Sequence, residues 1–215
     1  MSSATSHEFT QPSFKPIRGR PAWEIACLYP EQGYWEESDY LSIGTNHMIE
    51  FDNGFIEVLP MPTLLHQFIV QFLVDGLRQY VKEFATGFVL TAPLPVRLWQ
   101  LKYREPDIVY LRPDRVRIVR GQPEGADLVM EIVSEGATNR ERDLKTKPAE
   151  YARAGIAEYW VVDPEEHRII VFALEGQTYR THGEFGRGTV ATSVLFPAFN
   201  VSVDAVFAAG EGKQA

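Results

Sequence analysis

Pro106-Asp-Ile-Val-Tyr-Leu111, Asp127-Leu-Val-Met-Glu-Ile-Val-Ser134 and Glu158-Tyr-Trp-Val-Val-Asp163 contain three short apolar runs. The first two carry Asp107 and Glu131 at places where a buried strand would ordinarily reject a carboxylate. Short apolar runs rich in β-branched and aromatic residues read as strands covered on both faces. Between the second and third lies Asp143-Leu-Lys-Thr-Lys-Pro-Ala-Glu-Tyr-Ala-Arg-Ala-Gly155, which reads as a helix closed by glycine. Proline is tolerated only in a helix's first turn, so Pro148 puts the start of the regular helix at about Lys145 to Lys147. A helix crossing between strands in a strand-rich chain predicts an α/β domain with a mixed sheet.

Outward from this centre, Met48-Ile-Glu-Phe51 and Phe55-Ile-Glu-Val-Leu59 flank Asp52-Asn53-Gly54, a hairpin whose Asn-Gly supplies the required positive φ. Thr63 caps the longest predicted helix, Leu64 to Phe84, with Leu65, Phe68, Ile69, Phe72, Leu73, Leu77, Tyr80, Val81 and Phe84 forming its apolar stripe. Strands are expected at Phe88 to Thr91, Val96 to Leu98, Arg168 to Leu174, Thr178 to Thr181 and Thr189 to Leu195. Val201 to Phe207 reads as a final short helix or strand. The predicted organisation is a flexible arm over 1–20, a single domain over 21–207 and a flexible tail over 208–215.

The 215 residues, 45% hydrophobic and 23% charged, are ordinary globular values. One cysteine, Cys27, excludes an internal disulfide and a thiolate-rich zinc site. No apolar run spans a membrane, and the first residues lack a secretory signal, so a soluble cytoplasmic protein is expected. A net charge of -8 argues against a general nucleic-acid binder. The stretch from Arg97 to Arg153 is slightly basic, which lets a polyanion approach one face.

Two acids at adjacent strand ends can converge on one divalent ion. Magnesium needs only one or two carboxylates, keeps several waters and accepts substrate oxygens. The Ile132 carbonyl could complete such a shell. A neighbouring lysine offsets developing negative charge and keeps the acids ionised.

Pro106-Asp107, Glu131-Ile-Val133, Asp143 to Lys147 and Tyr151-Ala-Arg-Ala-Gly155-Ile-Ala-Glu-Tyr-Trp-Val-Val-Asp163-Pro together resemble the Uma-type restriction endonuclease family of the PD-(D/E)XK nuclease superfamily. The likeness extends back through Phe51 to Pro60 and His66, and forward to Phe196-Pro197. It implies a restriction-endonuclease-like core, with a mixed sheet flanked by helices. The implied activity is magnesium-dependent hydrolysis of DNA, with manganese as substitute. By this resemblance Asp107 and Glu131 are the catalytic acids and metal ligands. Val133 stands where a lysine is expected, and Lys147 replaces it, with Lys145 as the fallback. His66 and Glu57 are accessory candidates. Ser134-Glu135-Gly136 departs from the family pattern, which motivates the alternative of a nuclease-fold protein acting as a binding or assembly module without turnover. Apolar residues in the C-terminal strands and at Tyr159-Trp160 suggest a homodimer.

Overall fold

The computed structural model describes residues 28–44, 47–116 and 119–212. The arm assigned to 1–20, residues 21–27 of the assigned domain, and the last three residues of the tail lie outside them. The chain divides into Met1–Glu31 and Gln32–Ala215. Every element among the described residues lies in the second unit. It opens with helix α1 (Glu37–Ser42), the hairpin strands β1 (Ile49–Asp52) and β2 (Phe55–Val58), and the long helix α2 (Leu64–Phe84). Strands β3 (Phe88–Thr91), β4 (Val96–Trp99), β5 (Lys102–Arg104), β6 (Ile108–Leu111) and β7 (Leu128–Ile132) follow. A continuous helical stretch then crosses to β8 (Glu158–Asp163): α3 (Ala137–Glu141), a π-helical turn (Arg142–Thr146) and α4 (Lys147–Arg153). Strands β9 (Arg168–Glu175), β10 (Thr178–Phe185), β11 (Val190–Thr192) and β12 (Asn200–Ser202) and helix α5 (Val203–Gly210) complete it.

Six strands form the main sheet in the order β10-β9-β8-β7-β6-β3. The β7–β8 pair is parallel and its other pairs are antiparallel, so the sheet is mixed. A second sheet has the order β2-β1-β5-β4, and β11 pairs β12. Hairpin register follows from the two-residue loop: Asn53 and Gly54 adopt φ of 47° and 85°. A Cβ on Gly54 would lie 2.6 Å from the Gly33 carbonyl oxygen, so this position excludes larger residues.

Strand alternation divides the main sheet into two covered faces. Ile108, Tyr110, Leu128, Met130, Ile132, Trp160 and Val162 face Ile69, Leu73 and Leu77 of α2 and Val203 and Val206 of α5. Val109, Leu111, Val129, Val133, Tyr159 and Val161 pack on Tyr151 and Ile156 from the crossover. A third cluster, Trp35, Tyr40, Ile49, Phe51 and Tyr103, fills the hairpin sheet.

Several expectations change. The buried face of α2 is Ile69, Val70, Leu73, Val74, Leu77 and Val81, while Leu65, Phe68 and Phe84 are exposed. The helix carries more apolar residues than its neighbours cover. Tyr159 and Trp160 are fully buried because β8 is a central strand, so neither can meet a partner subunit. Residues 208–210 belong to α5 and not to a tail. The strand at Thr178 runs on to Phe185 because it pairs the whole of β9. Among the described residues no helix is long and apolar enough to cross a membrane.

Glu158 shows how a carboxylate is buried for structure alone. Its oxygens accept from Trp160 Nε1 (2.6 Å), Ser193 Oγ (2.7 Å) and the backbone N–H groups of Val194 (2.6 Å) and Leu195 (2.7 Å). Truncation removes the shared acceptor of two buried side-chain donors and two part-buried backbone N–H groups at once. Glu158→Ala is expected to lose about 3–5 kcal/mol in urea unfolding monitored by circular dichroism, with the slope against urea unchanged.

Candidate active site

Asp107 and Glu131 meet because of sheet register. Ile108 pairs Met130 and Val109 pairs Val129. Asp107 is the residue before β6, and this register carried one step further sets it toward Glu131, with which it lines one small cleft. Both are buried, at 6% and 4% exposure. Like charges directly opposed in a sheet repel, so something must compensate them.

Compensation comes from the crossover. Lys147 Nζ lies 2.8 Å from Glu131 Oε1, 3.2 Å from Asp143 Oδ1 and 3.7 Å from Glu50 Oε1. Tyr151, one turn later on α4, donates its hydroxyl to the same Glu131 Oε1 at 2.6 Å. The π-helical turn sets this geometry. In a continuous α-helix the Pro148 ring would strike the Leu144 carbonyl. Here the Lys147 N–H reaches back five residues to the Arg142 carbonyl. The regular helix therefore resumes at Lys147, within the expected start, and a further helical segment, Ala137–Thr146, precedes it. The Tyr159 hydroxyl donates to the Asp143 carbonyl at 3.0 Å and ties the turn to β8.

Asp107 Oδ2 accepts the Ile132 N–H at 2.7 Å and lies 3.2 Å from His66 Nε2. A strand residue presents its N–H and carbonyl on the same edge, so the peptide edge of Ile132 faces Asp107. Thr63 caps α2 by accepting the His66 N–H, which fixes the histidine's place at the start of the helix. Among the described residues, no protein donor reaches Asp107 Oδ1 or Glu131 Oε2.

Electrostatics follow from crowding. Burial pushes the Glu131 carboxyl up to about 7; Lys147 opposes the rise, and Asp107, Asp143 and Glu50 add to it. Burial works against the Lys147 ammonium, but Glu131, Glu50 and Asp143 outweigh it and raise its pKa, so the cation persists. His66 shows the same balance: burial disfavours its charge, and the hydrogen bond and charge of Asp107 raise its pKa above the usual value. Glu50 is buried too, yet Lys147, Arg104 and Arg142 hold its carboxyl below the usual range. Burial and the nearby Glu50 push the Glu105 carboxyl up to about 7, against a lowering hydrogen bond from the Ile49 backbone.

Glu57 is half-exposed and pairs with Arg142 at 2.7 Å. Lys145 does not join the site. It is exposed and pairs with Glu141 at 3.3 Å, because two residues along a helix separate it from the face that carries Lys147. Asp163 is fully buried between Arg140, at 2.9 and 2.8 Å, and Arg168 at 3.5 Å, so it holds the end of β8 to α3 beyond any turn role. The sequence reading passed over Asp143, Tyr151, Arg142, Glu105 and Glu50 as site residues. Tyr151 and Asp143 were findable, since each lies four residues from Lys147 on the same helical face.

Asp107, Glu131, Ile132 and Lys147 line a cleft of about 30 Å³, room for one or two water-sized groups. It shares Pro60, Pro62, His66, Ile132 and Ser134 with an adjoining cleft of about 620 Å³. Among the described residues no group of three or more His, Cys, Asp or Glu side chains converges closely enough to hold an ion. The donor set thus does not fit zinc. Two carboxylates, each with one oxygen free of protein donors, fit magnesium or manganese, which retain most of their waters.

No curated protein matches the chain. Among solved structures it is similar to one titled "Crystal structure of a putative nuclease belonging to DUF820" from Anabaena variabilis, with a TM-score of 0.65 and 19% identity, over 80% of this chain and 97% of that one. At that identity the likeness shows the fold, a mixed α/β architecture. Residues 35–204, which contain every site residue, match the Uma2 family, described as "Putative restriction endonuclease", and the chain belongs to that family.

Proposed function

We propose that this chain is an endonuclease that hydrolyses DNA phosphodiester bonds with magnesium, or manganese in its place. Asp107, Glu131 and the Ile132 carbonyl would hold the ion. The observation that carries the reading is that Asp107, just before β6, and Glu131 of β7 line one small cleft, with the Lys147 ammonium 2.8 Å from Glu131. A bound magnesium supplies charge neutralisation at phosphorus and an acidified water. The residues of the chain do the rest.

His66 and the Ile132 N–H both engage Asp107 Oδ2, which orients the carboxylate and leaves Oδ1 for an ion. Lys147 has three N–H donors. Two lie within hydrogen-bond reach of Glu131 and Asp143, whereas Glu50 at 3.7 Å contributes charge without a bond. The third is left to hold the attacking water or a phosphate oxygen. Tyr151 and Lys147 both engage Glu131 Oε1, which leaves Oε2 for the ion. The 620 Å³ cleft gives a nucleic-acid strand a path to the site. The altered segment Ser134-Glu135-Gly136 lines that cleft and favours a second reading, DNA binding without turnover.

Purified protein with magnesium is expected to nick or cut supercoiled plasmid. Asp107→Ala, Glu131→Ala and Lys147→Ala should each reduce cutting by at least about 100-fold, while Lys145→Ala cuts like the parent. Parental activity in all three site variants would remove the hydrolytic assignment. Metal binding at a Glu131-dependent site with no cutting would leave the second reading.

The raised Glu131 pKa gives a pH dependence with a definite sign. The folded carboxyl titrates at about 7 against an ordinary 4.5, so the metal-free fold loses stability as pH rises through that window. A cation needs the ionised form, so its affinity should fall as pH drops below about 7. Calorimetric titration with magnesium in two buffers of different ionisation enthalpy should show proton release near neutral pH, absent in Glu131→Gln. Binding that stays constant from pH 8 to about 5.5 contradicts this.

A further inference from the structure

Two cations line the small cleft beside Asp107 and Glu131, and they are held differently. Lys147 is enclosed by three buried carboxylates. Arg142 also has a largely buried side chain, at 12% exposure, but its short contact, from Nη1 to Glu57 Oε1 at 2.7 Å, is to a carboxylate 52% exposed. Its contact through Nε to Asp143 is 3.5 Å. Glu57 sits on β2, the edge strand of the hairpin sheet, where Phe55 and Val58 are exposed as well. The other arginines near the mouth are committed elsewhere: Arg140 is clamped on Asp163, and Arg104 lies between Glu50 and Glu150.

We infer that Arg142 is a contact for the nucleic-acid backbone, and that Glu57 occupies its guanidinium in the free protein in place of a phosphate. A guanidinium presents the same fork to a carboxylate and to a phosphate. An exposed partner on an edge strand can swing into water when a phosphodiester enters, whereas Glu131 and Asp143 cannot leave Lys147 without stranding a buried charge. The groups facing Arg142 are Glu57, Asp143, Glu50 and Glu131, and Glu57 alone among them is solvent-facing. The inference rests on the nucleic-acid reading of the site but not on turnover, since it concerns binding.

The test is fluorescence anisotropy of the full-length protein on a labelled DNA duplex in EDTA, where metal-dependent cutting is absent. Glu57→Gln should tighten binding about three- to five-fold, as expected when a competing exposed ion pair is removed. Arg142→Gln should weaken binding and reduce the slope of log affinity against log salt by about one. The double variant should match Arg142→Gln, because Glu57 acts only through Arg142. Glu175→Gln removes an equally exposed acid at the far end of β9 and should change nothing. This control decides the matter even where Arg142→Gln fails to fold. Tightening by Glu175→Gln equal to that by Glu57→Gln overturns the inference. So does tightening by Glu57→Gln that persists without Arg142, or an absence of DNA binding by the parent. If the double-variant pattern holds and plasmid stays uncut in magnesium, the hydrolytic reading fails alone.

Discussion

The ammonium of Lys147, buried at 2% exposure among Glu131, Asp143 and Glu50, is the constraint on which the arrangement depends. Each carboxylate arrives on a different element: Glu131 on the central strand β7, Asp143 on the π-helical turn and Glu50 on the hairpin strand β1. A buried charge without partners costs several kcal/mol, so these elements must dock together or not at all. The same logic continues outward. Glu50 bonds Arg104, Arg104 bonds Glu150 of α4 at 2.7 Å, and Lys102 bridges Glu150 at 2.6 Å and Asp52 at 2.7 Å. The hairpin sheet is thereby tied to the crossover helix by charge. Apolar replacement of buried ion pairs is often neutral or stabilising, so stability alone does not account for so many ionised groups here.

The main sheet supplies the rigid frame. Its two faces are apolar along most of β6, β7 and β8, and Asp107 and Glu131 lie where β6 begins and β7 ends. The carboxyl ends of the parallel pair β7 and β8 point the same way, which is where open α/β sheets place their sites. The larger cleft adjoins that end, lined by Ile132, Val133 and Ser134 after β7 and by Pro164 after β8.

How much of this was legible follows from what each residue needs from its neighbours. The three central strands were plain because short apolar runs admit few alternatives, and β6 and β8 fall on the residues read for them. Glu131 was conspicuous for the same reason: a carboxylate inside Leu-Val-Met-Glu-Ile-Val must be compensated. Lys147 was not legible from local pattern. Pro148 hides it, since the proline ends an ordinary helix reading, and the π turn that carries the helix through has no strong sequence signature. Glu50 is a different case. Its register partner Glu57 is half-exposed, and Glu50 is buried because Arg104 on the next strand and Lys147 and Arg142 from the crossover compensate it. The clue was the pair of cations in Lys102-Tyr-Arg104, a strand too charged to be buried without carboxylates opposite. The α2 stripe failed at Leu65, Phe68 and Phe84, because periodicity gives a face but not how far its neighbours extend.

The site contains two kinds of ion pair, and their magnitudes separate their roles. Breaking a fully buried pair by removing a partner costs about 3–5 kcal/mol, whereas a pair with one exposed member contributes about 0–1 kcal/mol. Glu131–Lys147 belongs to the first kind and Arg142–Glu57 to the second. A ligand with ordinary affinity can displace the second and not the first. On the proposed reading, substrate entry would rearrange the rim, on an edge strand, while the acids and the lysine keep the positions set by sheet register and helix. Burial lifts the Glu131 pKa and Asp107, Asp143 and Glu50 add to the rise, which a cation entering between Asp107 and Glu131 would oppose.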